Sequence, residues 1–229
     1  ASERYSFVVV DHTRGGPDNG IIPRERLEEL TAEIRELAPD FVVLTGDLVY
    51  GDINRQTEPP GVALDVAAIR ADWEAVDAVF ASIGVPIHRA PGNHDLWNHS
   101  TLELWRERYG PPFQSFRHEN GLFLLLNSCW LPAPGNQGHL PPKYIRGLQI
   151  PADQVAWIRS ELAANETTGA EHVFAFMGHM LWWESDAPWW SDVHPLLAAG
   201  PTRAVFAGDL GPWKWSHVER DGIHYVQSS

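Results

Sequence analysis

The chain has 229 residues, a length that suits one large α/β domain with a substantial core. Its hydrophobic fraction of 44% and its charged fraction of 21% are ordinary for a globular protein. The net charge of −13 argues against nucleic acid as a partner, because a phosphate backbone requires a basic surface. Cys129 is the only cysteine, so an intrachain disulfide is excluded.

No apolar stretch of the sequence reaches the roughly 20 residues that span a bilayer. The chain begins at Ala1 rather than Met, so a cytoplasmic location and export with a removed signal peptide both stay open. We find no internal repeat and no low-complexity linker, and we therefore expect a single domain over residues 1–229. The sequence does not predict the oligomeric state.

Strands and helices are predicted to alternate through the first half of the chain. Apolar runs that end in turn residues predict strands, and apolar residues at three- and four-residue spacing predict helices. In chain order the predicted elements are a strand at Tyr5–Val10, a helix at Pro23–Leu37, a strand at Phe41–Leu44, a helix at Val66–Ile83, a strand at Val85–Ala90 and a helix at Thr101–Tyr109.

The second half of the chain contains predicted hairpins in addition to strands and helices. In chain order these are a hairpin of Phe113–His118 with Leu122–Asn127, a helix at Ala152–Ala164, a strand at His172–Met177, a helix at Val193–Ala199, a strand at Arg203–Ala207 and a hairpin of Trp213–Glu219 with Ile223–Gln227. Alternation followed by hairpins predicts an α/β fold in which two packed sheets are flanked by helices.

Polar blocks follow five of the predicted strands. Ligands of α/β proteins gather at the carboxyl ends of strands, so we expect the blocks to share one edge. Any one of them is also typical of a turn or a cap, but their joint appearance at strand ends favours a metal site. The blocks are Asp11-His12-Thr13, Gly46-Asp47, Gly92-Asn93-His94-Asp95, Gly178-His179 and Gly208-Asp209-Leu210-Gly211.

These blocks resemble the calcineurin-like metallophosphoesterase family, and the resemblance extends over nearly the whole chain. It implies a four-layer α/β/β/α sandwich of two mixed sheets flanked by helices. It also implies that Asp47 bridges two metals, that Asp11 binds the first, and that Asn93 and His179 bind the second. Mixed carboxylate, amide and imidazole ligands suit Mn or Fe best, with Mg as a further candidate divalent metal.

The same resemblance implies a catalytic role for the Gly-Asn-His-Asp block. His94 would bind no metal but would face the scissile phosphate as a general acid or electrostatic clamp, and Asp95 would orient His94. Paired metals about 3.5–4 Å apart stabilise the attacking and leaving oxygens of an in-line displacement. The implied activity is hydrolysis of an organic phosphomonoester or phosphodiester.

The first block departs from the family pattern, which is Asp-x-His. Here His12 follows Asp11 directly and Thr13 holds the second position after the aspartate. Successive side chains of a strand point to opposite faces. We therefore expect His12 to point away from the site unless a bulge turns it.

The last block departs from the family pattern Gly-His-x-His. Asp209 and Gly211 stand at its two histidine positions. The Asp209 carboxylate can bind a hard divalent cation at the second site, although a hydrogen bond to the following turn is an equally good interpretation. The first site keeps only Asp11 and Asp47. The sequence thus predicts one metal bound firmly at the second site, beside a first site that has lost its histidine ligands.

Most of the eleven tryptophans lie just downstream of a proposed site residue. They either anchor irregular loops by packing or form an aromatic wall that stacks on a sugar ring, a base or an acyl chain. An arginine near the mouth of the site is a further candidate for contact with a phosphate. The candidate substrate contacts are Trp97, Trp182, Trp183, Trp189 and Arg14.

Three functional hypotheses follow from the sequence. The favoured one is a phosphoesterase that acts on a small-molecule or saccharide-containing phosphoester. The second is a catalytically dead binding module for a saccharide or a protein, against which the presence of His94 and Asp95 argues. The third is a metal-free hydrolase that uses clustered Asp11, Asp47 and Asp209, because neighbouring carboxylates perturb each other's titration.

Overall fold

The computed structural model describes residues 4–15, 22–51, 65–129, 148–208 and 215–228. In this part of the chain two sheets pack face to face, and helices cover the outer face of each sheet. The predicted four-layer α/β/β/α sandwich is therefore confirmed. Across the same residues no helix is long and apolar enough to cross a membrane.

The described strands of the first sheet are parallel and lie in the order β1-β2-β3. The elements of this half are β1 (Phe7–Val10), α1 (Arg24–Leu37), β2 (Phe41–Leu44), α2 (Val66–Ala81), β3 (Ile87–Arg89) and α3 (His99–Tyr109). Helix α3 begins two residues earlier than predicted, because Asn98 and Thr101 form a capping box at its start. The three helices pack on the outer face of the sheet.

The second sheet is mixed, in the order β4-β5-β6-β7-β9-β8, with antiparallel hairpins at both edges. Its strands are β4 (Gln114–His118), β5 (Gly121–Leu125), β6 (His172–Met177), β7 (Thr202–Ala207), β8 (Ser216–Arg220) and β9 (Ile223–Gln227). Its outer face is covered by α4 (Ala152–Thr168), α5 (Pro188–Asp192) and α6 (His194–Ala198). Helix α6 corresponds to the helix predicted at Val193–Ala199, and α5, which Pro188 opens and Val193 separates from α6, is a further short helix that was not predicted.

A layer of phenylalanine side chains fills the space between the two sheets. The Phe7 ring stacks on Phe41 in the first sheet at 5.3 Å between centroids and meets Phe174 of the second sheet edge to face at 5.3 Å. In the first sheet Val10, Leu44 and Arg89 lie side by side, so β1, β2 and β3 end at the same level. The polar blocks that follow these strands therefore emerge at one edge.

Candidate metal centre

The blocks after β1, β2, β3 and β7 approach one another closely enough to require glycine at two positions. A Cβ atom at Gly92 would overlap the backbone and carboxylate of Asp47, and a Cβ atom at Gly208 would overlap the carboxylate of Asp11. The structure thus brings most of the sequence-predicted site residues to one edge of the sandwich. Asp209 lies outside the described residues, so its position as a ligand stays a prediction.

Asp47 lies at the centre of this cluster and is almost fully buried. Its Oδ1 accepts a hydrogen bond from the backbone N–H of His94 at 3.0 Å, and its Oδ2 lies 3.1 Å from both Arg14 Nε and His12 Nε2. Burial opposes the charged form, but the His12 hydrogen bond and the charges of His94, His12 and Arg14 hold the pKa of Asp47 well below its usual range. The carboxylate is therefore ionised.

The His12 side chain points in the direction opposite to the one that strand alternation predicts. Its Nδ1 lies 2.6 Å from Asp11 Oδ2 and its Nε2 lies 3.1 Å from Asp47 Oδ2, so the ring points into the site. The reason is that β1 ends at Val10, and His12 has a left-handed φ of 49°. Asp47 also has a positive φ, 51°. Such conformations cost energy and cluster at functional sites.

Asn93 and His179 form the part of the cluster that fits a divalent ion. Asn93 Oδ1 lies 3.0 Å from His179 Nε2, and both residues are buried. Two ligands about 2.1 Å from an octahedral ion and at a right angle to each other also lie about 3.0 Å apart. The pair can therefore accept an ion with little movement of either side chain.

Ser128 holds His179 in this orientation. Its Oγ lies 2.9 Å from His179 Nδ1 and accepts the backbone N–H of His179 at 2.9 Å. Metal-binding histidines are usually fixed through the ring nitrogen that does not touch the metal. Sequence reasoning missed Ser128, although the polar run 127–128 follows the apolar strand β5 and lies at the same sheet edge.

The described side chains include no group of three or more His, Cys, Asp or Glu residues placed to hold a metal ion. The candidate centre differs in composition, because one of its candidate donors is the amide of Asn93. Its carboxylate, amide and imidazole donors are those that Mn, Fe and Mg accept. By contrast, at the place where a first metal would lie, Asp11 and Asp47 both contact the His12 ring between them.

His94 is oriented by the backbone rather than by Asp95, which corrects the expectation from the resemblance. Its Nδ1 lies 2.5 Å from the carbonyl oxygen of Tyr50, and its Nε2 lies 3.9 Å from Asp47 Oδ2. A carbonyl oxygen only accepts hydrogen bonds, so Nδ1 carries a proton and Nε2 faces the site. Burial lowers the pKa of His94 below its usual value, although the charge of Asp47 opposes this effect.

Asp95 ties the blocks after β2 and β3 together. Its Oδ1 accepts the backbone N–H of Leu48 at 3.0 Å, and its Oδ2 accepts that of Gly92 at 2.9 Å. Burial and the charge of Asp47 raise the pKa of Asp95 to about 8, against hydrogen bonds that favour the ionised form. Both carboxylate oxygens of Asp95 are therefore used by backbone amides of these two blocks.

Replacing Asp95 with alanine is expected to lower the free energy of unfolding by about 2–5 kcal/mol, because it leaves two buried amides without acceptors. The effect can be measured by urea denaturation. Asp95→Asn keeps one acceptor oxygen and should lose about half as much. If Asp95→Ala proved as stable as the wild type, Asp95 would not be the link between the two blocks.

Three of the four tryptophans proposed to contact substrate are packed in the core instead. Trp97 is fully buried under the first sheet, and Trp182 and Trp189 are buried beside Tyr225 of β9. The burial of these three side chains agrees with the loop-packing interpretation and leaves little of their surface for contact with a substrate. Trp183 differs, because 59% of its surface is exposed.

The sequence comparison assigns the chain to a family. A family model of calcineurin-like phosphoesterases matches residues 20–212. The chain therefore belongs to the calcineurin-like phosphoesterase family, and it is a hydrolase of this class. The family uses divalent metal ions. The matched range begins after Asp11 and His12, so it does not bear on the first block.

Three solved structures are similar to this chain. A dimetal phosphatase from Danio rerio has a TM-score of 0.72 and 12% sequence identity, covering 97% of this chain and 86% of its own. At this identity the likeness shows the fold alone. The Thermus thermophilus protein TT1561 has a TM-score of 0.49 and 14% identity, covering 97% of this chain and 88% of its own. The Thermus thermophilus sulfate thiohydrolase SoxB in complex with glycerol has a TM-score of 0.41 and 14% identity, covering 89% of this chain and 36% of its own. No curated protein sequence matches the chain.

Proposed function

We propose that the protein hydrolyses a small organic phosphomonoester or phosphodiester with one firmly bound divalent metal. The metal would be held by Asp47, Asn93 and His179, with Asp209 as a further ligand. The observation that carries the proposal is the 3.0 Å approach of Asn93 Oδ1 to His179 Nε2 beside the ionised Asp47. Mn or Fe suits these donors best, and Mg is the next candidate.

A divalent ion held by these residues would supply positive charge to stabilise a phosphoryl group during displacement. The chain's own residues then have separate tasks. Ser128 keeps the His179 ring in place, and Gly92 lets the Asn93 block approach Asp47. His94 presents Nε2 to the reacting groups while its protonated Nδ1 is held by Tyr50, so Nε2 is the atom that would take a proton from the attacking water and pass it to the leaving oxygen.

The substrate is proposed to be a small molecule, with a sugar or another ring attached to the phosphate. The acidic chain disfavours a polynucleotide. Trp183 offers an exposed aromatic face in the loop that follows His179, and Arg14 offers a partly exposed guanidinium beside Asp47. Such an arrangement suits stacking on a ring together with an ionic contact to phosphate.

Hydrolysis of p-nitrophenyl phosphate and bis-p-nitrophenyl phosphate tests the proposal. Protein stripped with a chelator should be inactive and should regain activity when Mn²⁺ is added. His179→Ala should lose both the ion and the activity. His172→Ala is the matched control, since His172 begins the same strand at its opposite end and should behave as the wild type.

Two results would contradict the proposal in different ways. Hydrolysis of a phosphoester that persists without metal would favour the metal-free carboxylate mechanism. A protein that binds a saccharide or a protein partner but hydrolyses no phosphoester with any divalent metal would favour a binding module.

A further inference from the structure

The oxygen atoms that would bind the first metal already have partners within the protein. Asp11 Oδ2 lies 2.6 Å from His12 Nδ1, and Asp11 Oδ1 accepts the Thr45 hydroxyl at 3.1 Å. The opposite ring nitrogen of His12 lies 3.1 Å from Asp47 Oδ2. The imidazole ring thus stands between the two carboxylates that a first metal would join.

Arg14 adds a permanent cation to the same oxygen of Asp47. Its Nε donates to Asp47 Oδ2 at 3.1 Å, and the guanidinium carries a positive charge spread over a planar group. A divalent ion bound to this oxygen would lie against a like charge. Charges of the same sign a few ångströms apart repel each other, even with the dielectric screening of bulk water.

The backbone fixes Arg14 in this place, which distinguishes it from a mobile surface arginine. The Arg14 backbone N–H donates to the carbonyl oxygen of Asp47 at 3.0 Å, and the Thr13 hydroxyl donates to the carbonyl oxygen of Leu48 at 3.0 Å. Arg14 Nη1 also reaches the carbonyl oxygen of Gly15 at 3.4 Å. Residues 13–14 are therefore bound to residues 47–48 along both backbone and side chains.

We propose that Arg14 replaces the first metal ion, so that the chain combines one divalent ion with one fixed guanidinium at Asp47. The inference rests on the proposed function, because it takes the site of Asn93 and His179 as the one that binds metal. It also explains why the histidine lost from the last block at Gly211 need not abolish activity. The Arg14 guanidinium thereby supplies one positive charge at the place of the missing divalent ion.

Titration with Mn²⁺ by calorimetry, together with elemental analysis after gel filtration, tests this inference. The wild type should bind one ion per chain. Arg14→Ala should bind a second ion, at the site of Asp11 and Asp47, at least tenfold more tightly than the wild type does. A unit charge within about 4–6 Å of a divalent ion changes its affinity by roughly tenfold or more even in bulk water. Arg14→Gln removes the charge but keeps an amide donor, and should behave in the same way if Arg14→Ala folds poorly.

Arg24→Ala is the matched control, because Arg24 is exposed on α1 and pairs only with Glu28 within the described chain. It should bind one ion with the wild-type affinity. Two tightly bound ions in the wild type would overturn the replacement by Arg14 while leaving the phosphoesterase proposal intact. One ion of unchanged affinity in both Arg14 variants would overturn it as well. A wild type that binds no ion would instead overturn the proposed function.

Discussion

Replacing His94 with alanine is expected to lower turnover by about 10²–10⁴-fold, the usual contribution of a positioned acid or base. The Tyr50 carbonyl oxygen holds His94 Nδ1, so that Nε2 faces Asp47 at the proposed metal site. Its backbone N–H, which alanine keeps, is the group that bonds Asp47. Metal content should therefore stay at the wild-type value while phosphoester hydrolysis falls.

His217→Ala is a suitable control for this experiment, because His217 is exposed on the edge strand β8 and should leave both quantities unchanged. Addition of imidazole to His94→Ala should restore part of the lost rate, since it supplies the missing acid or base. A variant that lost its metal along with its activity would show that His94 is a ligand. A variant with wild-type turnover would remove His94 from the mechanism.

Asp47→Asn is expected to weaken metal binding by at least 100-fold and to lower hydrolysis by about 10³-fold or more. Changes outside the ligand shell already cost 10–100-fold in affinity, and this change removes the charge of a proposed ligand. Loss of several kcal/mol of transition-state stabilisation corresponds to the expected loss of rate. Calorimetric titration with Mn²⁺ and the p-nitrophenyl phosphate assay measure the two effects.

Asparagine at position 47 has nearly the shape of aspartate and retains an oxygen for the backbone N–H of His94. A loss of binding would therefore report the missing charge rather than a collapsed site. Asp153→Asn, at the exposed first turn of α4, controls for the loss of one negative charge from the chain. Unchanged metal affinity in Asp47→Asn would show that Asp47 does not bind the ion and would contradict the proposed ligand set.

The strand framework was predictable from the sequence, because apolar runs bounded by turn residues mark strands whatever surrounds them. β2 and β6 have the predicted bounds, Phe41–Leu44 and His172–Met177. Asp47 lies three residues beyond β2 and His179 two residues beyond β6, and the two blocks meet where Gly178 lies against Thr45 and Gly92. Motif position and sheet geometry therefore suffice to bring these two residues together.

The direction of His12 could not be predicted from strand periodicity. The alternation of side chains applies only within a strand, and β1 ends two residues before His12. Beyond that point the backbone turns through a left-handed conformation, which no residue type in the block signals. The contact between Arg14 and Asp47 could not be predicted either, since it depends on the hydrogen bonds between residues 13–14 and 47–48.

The tryptophans show a second limit of sequence reasoning. Proximity to a site residue along the chain does not determine which face of a loop a side chain occupies. Trp182 and Trp189 are buried because Tyr225, from the distant strand β9, completes their packing surface. Trp183 stands next to Trp182 and faces solvent. Only the tertiary contacts separate the two neighbours.

The central claim is that one metal ion sits between Asn93 and His179 while Arg14 occupies the place of another. Anomalous scattering from crystals of the Mn²⁺-loaded protein tests it most directly. We predict one peak per chain, within about 2.0–2.3 Å of Asn93 Oδ1 and His179 Nε2, with the Arg14 guanidinium still on Asp47. A peak coordinated by Asp11 and His12, whether alone or as the second of a pair, would contradict this account.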